Sequence, residues 1–300
     1  MKNQRFLLII LFLGCSVCCT RHHDTFKYEM IFVEGGTFMM GATPEQWEWA
    51  DDIEKPAHPV TLSSFYISKY LVTVEQFRAF VDATGYITTA QGEYPGSWIN
   101  TPEGGETFDS TICWRHNRSG VLWDSTQVHY PVIHVSWDDA NAYCKWLAQK
   151  ENKPYRLPTE AEWEFAARGG VHATGTLFSG SDTLDVVSWY ARNSDYTLHE
   201  VGQKRPNELG IYDLNGLVLE WCSDYYDAYG NAADTLVNPQ GPKDTGCGLD
   251  KEGRVTQGPY RSVRGGTISR YERECRNSQR NYHAEFSRGG GLGFRVAYSL

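Results

Sequence analysis

Residues 131–170 read PVIHVSWDDANAYCKWLAQKENKPYRLPTEAEWEFAARGG, and two helices follow from that stretch. Ser136 with Asp139 three residues on is a capping-box pattern, with Asp in place of the stronger Glu or Gln. Ala140, Tyr143, Trp146 and Leu147 then recur at helical spacing, an apolar stripe that must face a core. Lys153-Pro154 closes this helix, because the residue before a proline is driven out of the helical region. Thr159 with Glu162 is a second capping box in its preferred form, and Pro158 fixes the approach to it. Trp163, Ala166 and Ala167 make its buried side, and Gly169-Gly170 ends it. Two helices so firmly delimited predict a packed scaffold rather than a catalytic loop.

On the N-terminal side, MIFVEGGTFMMG (30–41) reads as a strand, a Gly-Gly turn and a second strand. An acidic excursion over Glu45–Pro59 carries Trp47 and Trp49, and the segment from His58 alternates well enough for one or two strands. Thr73 with Gln76 opens a helix over Val74–Ala83, which Gly85 ends. Ile87–Tyr130 holds Trp98, Trp114 and Trp123 with little periodicity. It is either an ordered insertion held by its own aromatics or the wall of a groove. On the C-terminal side, Pro206–Gly210 and Asp213–Gly216 are turns and Asp224–Gly258 reads as loop. A strand then leads into Arg264-Gly265-Gly266, a basic stretch follows, and Gly293–Tyr298 is the final strand. No internal repeat and no linker divides the folded region, which predicts one domain.

The ten Trp, eighteen Tyr and twenty-nine Gly suit a loop-rich fold with large aromatic anchors, and 41% hydrophobic residues suffice for a sizeable core. A net charge of −9 without a Lys/Arg stripe excludes a nucleic-acid partner. Lys2 and Arg5 precede an apolar run, Phe6–Leu13, too short to span a bilayer. Phe12-Leu13-Gly14-Cys15 resembles a bacterial lipobox. The expectation is a signal peptide over 1–14, Cys15 as the lipid-bearing first residue, and a tether over 15–28 ahead of a domain spanning 29–300. An ordinary cleaved signal peptide is the alternative. Acyl chains on Cys15 would hold an exported protein on an envelope membrane, at the outer membrane or the periplasmic face, without a spanning helix.

Cys113, Cys144, Cys222, Cys247 and Cys275 remain, an odd number with no C-x-x-C pair. His129 and His134, five apart, and His116 form no helical i, i+4 pair and no H-x-E signature, so half-buried or turn histidines are expected. No G-x-S-x-G elbow is present, and Gly289-Gly290-Gly291 reads as a turn. Arg264, Arg270, Arg273, Arg276, Arg280, Arg288 and Arg295 make a local positive patch. They serve either internal ion pairing with the acidic excursions or a clamp on an anionic ligand such as a sulfated glycan or a peptide carboxylate.

PVIHVSWDDANAYCKWL followed by RLPTEAEWEFAARGG resembles the signature of the formylglycine-generating enzyme, or sulfatase-modifying factor, family. FVEGGTFMMG, PVTLSSFYISKYLVTVEQFRAF, PNELGIYDLNGLVLEWCSD, RSVRGGT and LGFRVAY stand in the family's order. The resemblance implies an α+β fold, a modified C-type-lectin-like arrangement with short antiparallel sheets and a few helices. It also implies oxidation of a sulfatase cysteine to formylglycine, with copper held by two cysteines shortly after the RGGS-type turn. Here the turn is Arg264–Thr267, and both family cysteine positions fall on Arg270. A guanidinium offers no lone pair and repels Cu(I), so copper and its oxidase reaction are not expected. The resemblance places Trp221 and Thr267 in the substrate cleft beside Arg270, with a core role as the alternative for Trp221. It places a structural calcium at Asn215, Gly216, Val218 and Glu220, although Leu217 and Leu219 depart from the family's Asn and Trp. Cys144 and Cys275 match disulfide cysteines whose partner positions are Val296 and Ala167, so both family pairings are lost. The expected function is a binding or scaffold protein for a protein, peptide or glycan ligand. The alternatives are an oxidase with a different metal arrangement and a sulfatase activator.

Overall fold

The computed structural model describes residues 28–101, 105–229, 235–243 and 260–300. The signal segment, Cys15, most of the tether and Cys247 lie outside the described residues. The chain runs β1 (Met30–Val33), β2 (Gly36–Met40), two short 3-10 turns (Pro44–Trp49 and Asp52–Glu54), β3 (His58–Leu62) and β4 (Phe65–Ser68). Then come α1 (Val74–Thr84), β5 (Ser97–Asn100), β6 (Glu106–Asp109), α2 (Trp137–Glu151), α3 (Glu160–Ala167) and α4 (Leu184–Val187). The remainder is β7 (Leu219–Tyr225), β8 (Leu236–Val237), β9 (Tyr260–Arg264), β10 (Arg280–Ala284), β11 (Leu292–Gly293) and β12 (Ala297–Ser299). Among the described residues four small sheets result, ordered β10-β9-β7-β11, β1-β4-β12, β2-β3-β8 and the hairpin β5-β6. Among the described residues no helix is long and apolar enough to cross a membrane.

All three predicted capping boxes form. The hydroxyls of Thr73, Ser136 and Thr159 accept from the backbone N–H three residues on, and the Gln76, Asp139 and Glu162 side chains return the contact. Each such cap is worth about 1 kcal/mol. Gly85 ends α1 in the left-handed conformation, and Asn152 does the same for α2, one residue before the Lys-Pro pair. Ala140, Tyr143 and Leu147 are buried as the stripe requires, with Trp146 packed at the edge of the same cluster.

Helix α3 departs from the expected pattern. Its whole circumference is buried, including Glu160, Glu162 and Glu164. Each carboxylate meets an arginine: Glu160 with Arg280, Glu162 with Arg156, and Glu164 with both Arg168 and Arg264. Burying a carboxylate is tolerable only when its charge is matched and its lone pairs are used. This helix therefore sits inside the protein as the centre of an ionic network.

β1 and β2 form on either side of Gly35 as expected, and they join different sheets, β1 pairing β4 and β2 pairing β3. Two strand expectations need correction. Gly293–Tyr298 is not one strand. Leu292-Gly293 runs parallel to β7, while Ala297–Ser299 runs antiparallel to β4. Between them Phe294, Arg295 and Val296 are all fully buried, so the chain crosses from one sheet to another without an outward face. Asp224 belongs to the end of β7 rather than to a loop.

Candidate ligand-binding groove

A groove of about 870 Å³ opens between three segments: the β5-β6 hairpin, the Thr267–Glu274 loop after β9, and the Phe286–Leu292 turn. Trp98, Phe108 and Phe286 present exposed aromatic surface to it. The Trp98 ring meets Phe108 edge-on, with centroids 5.6 Å apart. The Gly290 N–H donates to the Trp98 carbonyl at 3.1 Å, which ties the hairpin to the glycine turn. Ile87–Tyr130 is thus both of the things its sequence allowed. Trp114 is buried in the main core, while Trp98 walls the groove.

Thr267 and Arg270 line this groove. Thr267 Oγ1 lies 3.1 Å from Ser269 Oγ and accepts from the Ser269 N–H at 3.2 Å. Arg270 is exposed and donates to Glu274 Oε1 at 2.5 Å. Trp221 does not reach the groove. It is fully buried, its indole N–H donates to the Val135 carbonyl at 3.2 Å, and its role is that of a core aromatic. Between it and the groove stands His283, whose ring centroid is 6.3 Å away. Burial, then the Arg270 charge, lower the His283 pKa.

The arginine patch resolves mainly into internal ion pairs. Arg264, Arg276, Arg280 and Arg295 are buried against Glu164, Glu54, Glu160 and Glu220, while Arg273 meets Asp51 at the surface. Arg288, on the groove wall, is held by backbone carbonyls of Gly96, Phe286 and Tyr94. One guanidinium of the groove wall is one the sequence did not mark, Arg118, buried in a polar loop with no periodicity to signal burial. Behind it His134 braces the wall. Its Nε2–H donates to the Asn117 carbonyl at 3.2 Å and its Nδ1 accepts from Ser97 at 2.8 Å. Burial holds this imidazole neutral, with a pKa of about 4.

The family's metals find poor donors. Both Glu220 oxygens accept from Arg295, at 2.5 and 2.8 Å. The Asn215 amide accepts from the Ser179 N–H at 2.7 Å and donates to the Cys275 carbonyl at 2.6 Å and to Asn277. Gly216 and Val218 could offer only backbone carbonyls. Both Glu220 oxygens and the Asn215 amide are thus engaged by groups of the protein, and no side-chain oxygen of the four residues is left free for calcium. Copper fares no better. Arg270 supplies no thiolate, and the nearby Cys275 is fully buried with its thiol pushed up to about 12 by that burial. Cys113, Cys144, Cys222 and Cys275 are all free thiols.

Residues 20–300 match the sulfatase-modifying factor enzyme 1-like domain. The formylglycine-generating enzyme of Thermomonospora curvata is 31% identical over 304 aligned positions, covering 89% of this chain and 92% of the relative. The solved structure of PvdO from Pseudomonas aeruginosa superposes with a TM-score of 0.68 at 26% identity, covering 90% of this chain and 94% of that one. Treponema denticola variable protein 1 superposes with a TM-score of 0.67 at 25% identity, covering 90% and 95%. The chain therefore belongs to the formylglycine-generating enzyme, or sulfatase-modifying factor, family and has its C-type-lectin-like fold.

Proposed function

We propose that the protein is a ligand-binding member of this family, displayed on the cell envelope, whose groove takes a peptide segment of a partner and performs no copper-dependent cysteine oxidation. One observation carries this reading. Where the family places its metal cysteines the groove wall has Arg270, a cation already bonded to Glu274. Around it the groove offers aromatic faces and hydrogen-bonding groups, the chemistry of a binding site rather than of a redox-metal centre. The purified protein, incubated with copper, reductant, oxygen and a sulfatase-derived cysteine peptide, should retain no stoichiometric copper and leave the peptide mass unchanged. Appearance of the aldehyde would sink the reading, and a retained redox metal with oxygen uptake would replace it by an oxidase.

The envelope half of the proposal rests on the lipobox-like Leu13-Gly14-Cys15. Expressed in a bacterial host, the full chain should fractionate with membranes and release with detergent. Cys15→Ser should move it to the soluble fraction. Equal partitioning of the two forms would remove the lipid anchor from the account.

A further inference from the structure

Six arginines are buried in the described residues: Arg118, Arg261, Arg264, Arg276, Arg280 and Arg295. Five of them meet a carboxylate, respectively Glu285, Glu164, Glu54, Glu160 and Glu220 for the last five. Arg118 is the exception. Only 7% exposed, it donates through Nη2 to Ser269 Oγ at 3.0 Å, while its Nε and Nη1 have no hydrogen-bond partner. Glu106, on the same groove, acts on it only as a nearby charge. An unmatched buried cation costs several kcal/mol, and folds keep such a violation mainly where a ligand completes it.

The surroundings say where the missing anion would sit. Arg118 packs under the glycine turn so closely that a Cβ on Gly290 would stand 2.8 Å from its Cγ. Arg118 therefore lines the groove beside the glycine turn, and its guanidinium bonds Ser269, whose hydroxyl lies against that of Thr267, both of them also lining the groove. Proton accounting gives these hydroxyls a direction. Ser269 Oγ accepts from Arg118, and Thr267 Oγ1 accepts from the Ser269 N–H. Each hydroxyl has one proton, and their mutual contact uses at most one of the two. At least one O–H remains to donate into the groove, backed by a buried positive charge. Donors so arranged favour an oxyanion over a neutral acceptor.

We infer that Arg118, Ser269 and Thr267 form an oxyanion subsite that takes a carboxylate of an acidic peptide lying in the groove, flanked by the aromatic surface of Trp98, Phe108 and Phe286. This rests on the ligand-binding reading above and gives it a substrate class. The volume of the groove and its four exposed aromatic rings, Tyr271 with Trp98, Phe108 and Phe286, favour a peptide over a lone inorganic ion.

The test titrates the purified protein with N-acetylglutamate N-methylamide, N-acetylglutamine N-methylamide, sulfate and chloride at matched ionic strength. Melting temperature and the Arg118 Nε–H resonance are followed. The glutamate amide, whose one carboxylate is its side chain, should produce saturable shifts in both, and the uncharged glutamine amide and chloride none. Arg118→Met should weaken the response at least about tenfold and raise the melting temperature of the unliganded protein, since it removes an unmatched buried charge. Ser269→Ala, which keeps the guanidinium but strands its Nη2, should weaken binding and lower stability modestly, in contrast to Arg118→Met. A carboxylate response unchanged in both variants would overturn the subsite, as would no saturable response at all. A less stable Arg118→Met would make the arginine structural, and saturation by sulfate alone would overturn the peptide carboxylate. The titration is independent of the copper assay: aldehyde formation would remove the binding reading, whereas failed saturation without aldehyde removes only the subsite.

Discussion

Replacing Arg276 by methionine should destabilise the protein by about 3–5 kcal/mol, read as a lowered urea midpoint at unchanged slope. Arg276 is fully buried and forks onto Glu54, with Nη1 2.8 Å from Oε2 and Nη2 2.6 Å from Oε1. It also donates to the Arg273 and Trp49 carbonyls and to Gln279 Oε1. Methionine fills much of the volume but leaves the Glu54 carboxylate buried with only the Ser278 hydroxyl and the Asp51 N–H as donors. The penalty is that stranded charge. Arg276→Met combined with Glu54→Leu should therefore lose markedly less than the two single losses added together, a coupling that a double-mutant cycle measures. A single-variant cost below about 1 kcal/mol would show that the pair does not hold these segments together. The consequence reaches the groove, because Arg264, Arg276 and Arg280 bracket the loop carrying Thr267, Ser269 and Arg270.

What could be read from the chain and what could not divide along sequence distance. The caps at Thr73, Ser136 and Thr159 are i to i+3 contacts, and local chemistry specifies them fully. Trp163 and Ala166 were legible as core because apolar periodicity is also local. Glu160 and Glu164 of α3 were not, since a Glu on a helix reads as a solvent face until an arginine about a hundred residues away is placed beside it. The same blindness left the arginine patch open between pairing and ligand binding. Its partners, Asp51 and Glu54, come from a segment some 220 residues earlier. Of the candidate cleft, Thr267 and Arg270, marked by their position after the glycine turn, line the groove; Trp221 was left open between cleft and core, because an indole looks alike in both, and it lies in the core. Arg118 is identifiable only by a missing partner, a property that no local pattern encodes.

Asp224→Asn should leave stability nearly unchanged at about pH 4 and raise it by up to about 4 kcal/mol at about pH 8.5. Asp224 is buried at the end of β7, where it accepts from the Glu160 N–H at 2.9 Å and from the Ser223 hydroxyl at 3.0 Å. Burial first, and then the negative charge of Glu160, push its carboxyl up to about 7. Glu160 goes the other way. Burial opposes its charge, but Arg280, Arg264 and the Ser262 hydroxyl hold it down to about 2. Two neighbouring carboxyls thus divide the roles, one kept ionised by guanidinium and one kept neutral by burial and, secondarily, by the charge of the first. The folded Asp224 retains its proton well above the ordinary value of 3.8, at which the unfolded chain has released it. Its stabilisation is therefore full below that value and is lost as pH rises through about 7, where folding must strand a second buried anion. Asparagine keeps an acceptor for the Glu160 N–H and never ionises, so the variant escapes the loss. Asp213, pushed up to about 6 by burial, contributes with the same sign, and His134, held at about 4, with the opposite one. The quantity to read is accordingly the difference between variant and wild type in urea unfolding at the two pH values. Parallel stability profiles would mean that Asp224 is ionised in the folded protein across the whole range, and that the network around α3 has another cation to spare for it.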